Sequence, residues 1–363
     1  MRKLKIAIIG YGGMGGYHAS RLAETDKFEV CAIYDTDKSR YGVAKQNGIA
    51  SCDAYRTKED IASDPNVDAV LIATPNDVHG EYLKYFAAAG KHVICEKPVA
   101  PTSAEFAEMT DCAKRNGIVF AVHQNRRWDA DFLTIKELYD KGVVGDGSGI
   151  GKILRIESRV QGGNGVPGDW RKFKEKGGGM MLDWGVHLID QAVVMFGGAP
   201  DSIYCSYSFA QGFDVDDGFK LILDYPQTVM EIVVDTDCYI KTPRWIAYGE
   251  NGTAVIEDWD LNGKVVKPIF STERKIAGIK AGNGFTKTMA YRTADSLTVE
   301  DLHRVYPEEY AFYNEFYNAV VNGLPMTITH DQVMTVLKIM EAAARSAKSH
   351  GSVNLKELKI DEK

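Results

Sequence analysis

The chain has 363 residues, 45% of them hydrophobic and 26% charged, with a formal net charge of −7. That length suits two domains with a large core, and the composition is that of a globular enzyme rather than a disordered or fibrous chain. The acidic balance argues against nucleic acid and anionic membrane as partners. No apolar stretch approaches the ~18 residues that a membrane span needs. The six cysteines include no C-x-x-C pair, which reads as reduced structural thiols in a cytoplasmic protein. The start Met1-Arg2-Lys3 is followed by too short an apolar run for a secretion signal.

The first element, Lys5–Ile9, is an apolar run that predicts a buried parallel strand. It enters Gly10, Gly12 and Gly15 at the spacing G-x-G-x-x-G, with Tyr11, Gly13 and Met14 between and around them. Such glycines permit a tight turn, close approach of backbone to a pyrophosphate, and close helix-to-strand packing. The helix predicted from Gly13 to Thr25 would aim its N-terminal amides at the phosphates. A second strand, Glu29–Tyr34, ends in Asp35, twenty positions after Gly15. An acid there is placed to accept hydrogen bonds from an adenosine ribose, which predicts NAD, with NADP as the alternative because Ser39 and Arg40 stand nearby.

Strand and helix then alternate. Predicted strands are Ala69–Ala73, Lys91–Cys95 and Val119–Val122, and predicted helices include Val78–Ala89 and Thr102–Asn116. This pattern implies an α/β class with a doubly wound parallel sheet. Ligands of such sheets bind beyond the carboxyl ends of the strands, so Thr74, Pro75, Asn76, Glu96, Lys97 and Asn125 join the cofactor candidates. His79, at a helix start, is a weaker one.

After Asn125 the pattern changes. A helix at Ala130–Lys141 and a glycine-rich loop lead to strands without intervening helices: Ile153–Ser158, Ser202–Ser208, Gly218–Asp224, Thr228–Asp235, Arg244–Tyr248 and Thr253–Glu257. Consecutive strands predict a second, α+β domain with a mainly antiparallel sheet. The division falls at 1–123 and 124–363. Lys264–Arg304 gives no clear pattern, and two helices, Glu308–Asn322 and Gln332–Ser349, close the chain ahead of a loose tail at Lys359–Lys363.

Lys97 is the first catalytic candidate. It follows an apolar strand, and Pro98 keeps it out of the α region; a cis Lys97–Pro98 bond would turn its ammonium into the cleft. A lysine partly desolvated beside a cationic nicotinamide suits a general base. The bland alternative is a surface lysine at a strand end. The second constellation is Gly177-Gly178-Gly179 followed by Asp183, His187 and Asp190, at i, i+4 and i+7 on one predicted helical stripe. An acid and a histidine so spaced can share a substrate hydroxyl; the alternatives are a core histidine bonded to Asp183 or Asp190, or a metal site. No third local ligand supports a metal, and none is expected. Arg126, Arg127 and Arg171 offer cations, one of them structural, and Trp128, Trp170 and Trp184 offer a flat wall for a sugar face.

Together these pieces resemble the Gfo/Idh/MocA oxidoreductases, named from glucose-fructose oxidoreductase and inositol dehydrogenase. The resemblance rests on G-Y-G-G-M-G at Gly10–Gly15, A-T-P-N-D-V-H at Ala73–His79, C-E-K-P at Cys95–Pro98 and N-R-R-W-D at Asn125–Asp129. It extends to G-G-G-M-M-L-D-W-G-V-H-L-I-D at Gly177–Asp190 and to the closing helix pair. It implies a Rossmann domain and an open, mainly antiparallel sheet that often forms the oligomer face, here of a homodimer or homotetramer. It also implies hydride transfer between nicotinamide and a hydroxyl of a sugar, glycoside or cyclitol, with Lys97, Asp183 and His187 as the catalytic trio. Arg126, Trp128, Trp170, Arg171 and Trp184 become substrate contacts beside them. The insertion near Asp146–Gly151 and the Lys264–Arg304 segment depart from the family pattern and leave the substrate open. Two rival activities share this fold: an NAD-dependent glycosidase that oxidises carbon 3 transiently and keeps its NAD tightly bound, and a non-enzymatic NAD-binding sensor.

Overall fold

The computed structural model describes residues 2–49, 57–144, 149–270 and 278–355. Cys52, most of the glycine-rich loop before Ile150, part of the Lys264–Arg304 segment and the tail at Lys359–Lys363 lie outside them. The first half runs β1 (Leu4–Ile9), α1 (Gly13–Ala23), β2 (Phe28–Tyr34), α2 (Ser39–Gln46), α3 (Lys58–Ser63), β3 (Ala69–Ile72), α4 (His79–Ala88), β4 (His92–Cys95), α5 (Ser103–Arg115) and β5 (Phe120–Val122). The strands form one parallel sheet in the order β2-β1-β3-β4-β5. Helices cover both faces of such a sheet, so β3 buries all four residues and β1 all but Lys5. Strand order reverses between β1 and β3, where doubly wound sheets open a ligand crevice.

The second half begins with α6 (Ala130–Val144) and β6 (Ile153–Gln161), then α7 (Val186–Phe196), β7 (Ser202–Ser208), β8 (Gly218–Tyr225), β9 (Thr228–Asp235), β10 (Trp245–Gly249) and β11 (Gly252–Ile256). It continues with β12 (Gly263–Pro268), β13 (Ile279–Ala281), β14 (Gly284–Thr286) and β15 (Leu297–Asp301), and ends with α8 (Ala311–Asn322), α9 (His330–Ser349) and β16 (Val353–Asn354). Nine of these strands form an open sheet, β15-β12-β11-β10-β6-β9-β8-β7-β16. Every pairing in it is antiparallel except β6 with β9, which run parallel and set Gln161 opposite Asp235. The segment without a clear pattern contains β12, the hairpin β13–β14 and the edge strand β15. β13 is exposed along its length and β15 nearly so, so neither shows the alternation that marks a half-buried strand.

The closing helices join the two sheets. α9 opens with a capping box, Thr329 receiving the Gln332 amide, and packs against α5, α7 and β7. α8 returns to the parallel sheet: Tyr313 and Tyr317 meet the Phe28 ring edge-on, and the Tyr317 hydroxyl donates to the Arg2 carbonyl at 2.8 Å. Among the described residues no helix is long and apolar enough to cross a membrane, and Cys31, Cys95, Cys112, Cys205 and Cys238 are free thiols.

Candidate active site

The glycine turn after β1 is built for an anion. A side chain at Gly15 would collide with the Gly10 carbonyl, so helix and turn pack at a distance only glycine allows. Gly12 and Gly13 face open space. Helix α1 starts with no side-chain cap and no acid in its first turn, so its leading amides and positive dipole end are available to a pyrophosphate. Asp35 braces the turn, accepting the Tyr11 N–H at 2.7 Å and the Asp37 N–H at 2.8 Å. Each of its oxygens keeps a lone pair for a ribose hydroxyl. The Thr74 hydroxyl, where the strand order reverses, is buried without a partner, as a group awaiting a ligand would be.

Lys97 leaves β4 through a cis peptide to Pro98. Its ammonium donates to the Asp183 carbonyl at 3.1 Å and to Asp183 Oδ1 at 3.3 Å. Arg171 Nε donates to Asp183 Oδ2 at 2.9 Å, while Nη1 holds Asp169 at 2.7 Å. Burial alone would raise the Asp183 carboxyl, but the charges and hydrogen bonds of Lys97 and Arg171 hold it below its ordinary value.

Asp183 and His187 do not share a plain α-helical stripe. Met181–Gly185 winds as a π-helical turn that runs into α7, an irregularity found mostly at functional sites. A side chain at Gly179 (φ +103°) would strike the Asp216 carboxylate, which accepts the Met181 N–H at 2.7 Å and so caps this turn. His187 is buried, with Nδ1 lacking any partner. Burial first, then the charges of Lys97 and Arg126, push its imidazole well below the ordinary histidine value, so the ring is neutral.

A cavity of about 460 Å³ opens beside Asp183. Its lining includes Arg126, Gln161, Trp184, Asp235, Thr236 and Trp259. The Trp184 and Trp259 rings lie 6.1 Å apart, and the Arg126 guanidinium sits 4.3 Å and 5.5 Å from their centres. Gln161, Asp235 and Thr236 are here because β6 and β9 run parallel and end at the same edge. A sequence read as consecutive antiparallel strands offers no signal for that meeting. Trp259 left a faint one, a lone tryptophan just past a strand.

Residues 4–124 match the profile of the oxidoreductase family with an NAD-binding Rossmann fold, and residues 132–255 match the GFO/IDH/MocA C-terminal domain. The chain belongs to the Gfo/Idh/MocA oxidoreductase family. An NAD-binding protein from Listeria innocua of known structure is 41% identical and superposes with a TM-score of 0.91, over 98% of this chain and 100% of that one. The scyllo-inositol 2-dehydrogenase (NADP(+)) IolW of Bacillus subtilis is 26% identical over 97% of this chain and 96% of its own. The myo-inositol 2-dehydrogenase of Thermotoga maritima is 31% identical over 56% of this chain and 58% of its own. The protein is thus an NAD-binding oxidoreductase, a dehydrogenase acting on CH–OH groups.

Not every predicted residue of this family member faces the site. His79 is fully buried, its ring nitrogens 3.0 Å and 3.1 Å from the Thr74 and Pro98 carbonyls; it ties two loops together and reaches no surface. Glu96 turns its carboxylate inward, to His18 and His123. Asn76 is buried and donates to the Gly177 carbonyl at 3.2 Å, tying the parallel sheet's loops to the glycine triplet. Asp190 takes no part with His187, because Arg127 grips it with two hydrogen bonds of 2.8 Å and 2.6 Å; Arg127 is the structural arginine. Trp128 packs on Phe312 at 6.2 Å, Trp170 lies under the Arg171 guanidinium at 4.6 Å, and neither lines the cavity. Arg40 pairs with Asp37 on the surface at 3.5 Å. Asn125 opens the short helical turn Asn125–Trp128 and is half-buried. Among the described residues one group has metal-ligand composition, His18, Glu96 and His123. Its contacts of 2.7 Å and 2.8 Å are hydrogen bonds on a shared oxygen; a metal would sit between the ligands at about 2 Å from each.

Proposed function

We propose that this protein oxidises a secondary ring hydroxyl of a neutral cyclitol or sugar, with NAD as hydride acceptor and Lys97 as general base. The observation that carries this reading is the pairing of Lys97 with Asp183 and Arg171 beside His187, whose buried Nδ1 has no partner in the protein. Lys97 in its neutral form takes the hydroxyl proton, and Asp183 stabilises the ammonium that results. His187, held neutral, pairs with a substrate hydroxyl and fixes the ring. Trp184 and Trp259 give the ring an apolar wall, and Gln161 and Asp235 pair its remaining hydroxyls. Bound NAD supplies the hydride acceptor, cradled by Gly12, Gly13 and the start of α1. The inositol dehydrogenases among its relatives support a cyclitol, and the mixed charges around the cavity favour a neutral ring over a sugar acid.

The test is a panel of inositols, hexoses, glycosides and uronic acids at fixed NAD. Turnover of a cyclitol or neutral sugar is expected. Activity confined to uronic acids or acyclic alcohols overturns the reading, as does aglycone release without added NAD. Asp35 should favour NAD over NADP, because its carboxylate repels a 2′-phosphate. A kcat/KM ratio of at least about tenfold is expected, and a preference for NADP contradicts it. The outward face of the nine-stranded sheet, with the cross-strand row Tyr204, Ile222, Glu231, Glu157, Ile246 and Val255, is the proposed contact for a homodimer or homotetramer. A monomeric mass by light scattering would contradict that.

A further inference from the structure

Beneath Lys97 lies a buried anion that the proposed chemistry does not use directly. Glu96 Oε1 sits 2.7 Å from His18 Nε2 and 2.8 Å from His123 Nδ1, and Oε2 accepts the main-chain N–H of Lys97 at 3.1 Å. A carboxylate only accepts hydrogen bonds, so both imidazoles must donate with those nitrogens. That tautomer leaves His18 Nδ1 as an acceptor, and the Tyr313 hydroxyl meets it at 2.8 Å. All four residues are buried. They come from α1, the ends of β4 and β5, and α8, so one charge joins the helix after the glycine turn, the Lys97 loop, the crossing between the sheets and a closing helix.

We propose that Glu96, His18, His123 and Tyr313 form a positioning network that holds the Lys97 backbone and keeps a fixed negative charge behind the reacting groups. The inference rests on Lys97 being the base. Burial opposes ionisation of Glu96, but the attraction and hydrogen bonds of His123 and then His18 hold its carboxyl well below the ordinary value. The titratable groups that feel this charge are His18 on α1, His79 on α4, Cys95 on β4, His123 after β5, His187 on α7 and Tyr313 on α8. For His187 the anion favours the protonated form, against the larger effects of burial and Lys97. Removing it should ease proton loss from the site.

The test compares pH profiles of kcat/KM with NAD affinity read from quenching of tryptophan fluorescence. Glu96→Gln should move the acidic limb down by about one pH unit and lower kcat about 10- to 100-fold, with the NAD dissociation constant within about threefold. Glu96→Asp, which keeps the charge but shortens the reach, should keep the limb in place while kcat falls. Tyr313→Phe frees His18 from one bond and should shift the limb in the same direction by less. It also serves if Glu96→Gln fails to fold. A limb that stays put in both Glu96→Gln and Tyr313→Phe, or in Tyr313→Phe alone if Glu96→Gln does not fold, overturns the network. Lys97→Ala distinguishes the two failures: near-normal turnover there removes the general-base reading itself, whatever the network does.

Discussion

Two carboxylates hold Lys97, and they are satisfied in opposite ways. Glu96 grips the lysine's main chain and is sealed from solvent by two imidazole N–H donors and one amide. Asp183 grips the ammonium at the edge of a cavity and is balanced by the cations Lys97 and Arg171. A buried anion whose hydrogen-bond donors are all fixed in the core keeps the same partners, whereas an anion between cations at the edge of a cavity is part of a group whose partners can change. The first suits a fixed electrostatic background. The second suits exchange, in which a substrate hydroxyl replaces one contact of the lysine.

The largest test of that contrast removes the shared partner. Lys97→Ala should lower kcat by about 10²- to 10⁴-fold, the usual worth of a general base, with NAD binding largely kept; near-normal turnover at neutral pH would separate both carboxylates from catalysis. Next, Asp183→Asn keeps the shape but not the charge, and should cost about 10²-fold in kcat, while the same exchange at Glu96 moves the pH profile. If both variants change rate and profile alike, the two anions are doing one job and the contrast fails. A smaller effect is expected at the cavity wall. Trp259→Ala should raise KM about tenfold, the scale of one aromatic contact, and leave kcat nearly unchanged; a fall in kcat with KM constant would take Trp259 out of ring binding.

The smallest expected effect concerns stability and lies at a third carboxylate. Burial pushes Asp216 up to about 6, despite the Met181 amide that it caps. Its folded form therefore binds a proton more readily than the unfolded chain, so its contribution to stability improves as pH falls from about 7 toward 4. Asp183 behaves oppositely: its contribution is present above its ordinary value and is lost as pH falls below it. Asp216→Asn should accordingly gain on the parent at pH 7.5 and keep only about half of that advantage at pH 5, a swing of roughly 1.5 kcal/mol. Melting temperatures at the two pH values check it, and a difference that does not change with pH would mean that Asp216 is ionised in the folded protein across this range and that burial does not raise its carboxyl.

Much of the parallel sheet was legible, because its buried strands are short apolar runs whose ends carry the ligand-binding loops by rule. The meeting of Lys97 with Asp183 was foreshadowed by two local motifs, one just past the end of β4 and one leading into α7. The open sheet's outer strands were harder, since β13 and β15 bury little and leave no alternation. The π-helical turn was hidden too: the four-residue spacing of Asp183 and His187 reads as one helical face, and only packing against Asp216 and the glycine triplet decides the winding.

By itself the sequence determined the glycine turn, the acid after β2, the lysine beyond β4 and the order of elements, all features set within a few residues of chain. Tertiary structure alone decided the rest. Gln161 and Asp235 share a cavity because two strands that are not neighbours in sequence run parallel. Tyr313 reaches His18 across 295 positions, and His18 reaches Glu96 across 78. No local periodicity encodes such contacts. A buried charge must find its donors wherever the fold brings them, and here the fold draws them from both ends of the chain.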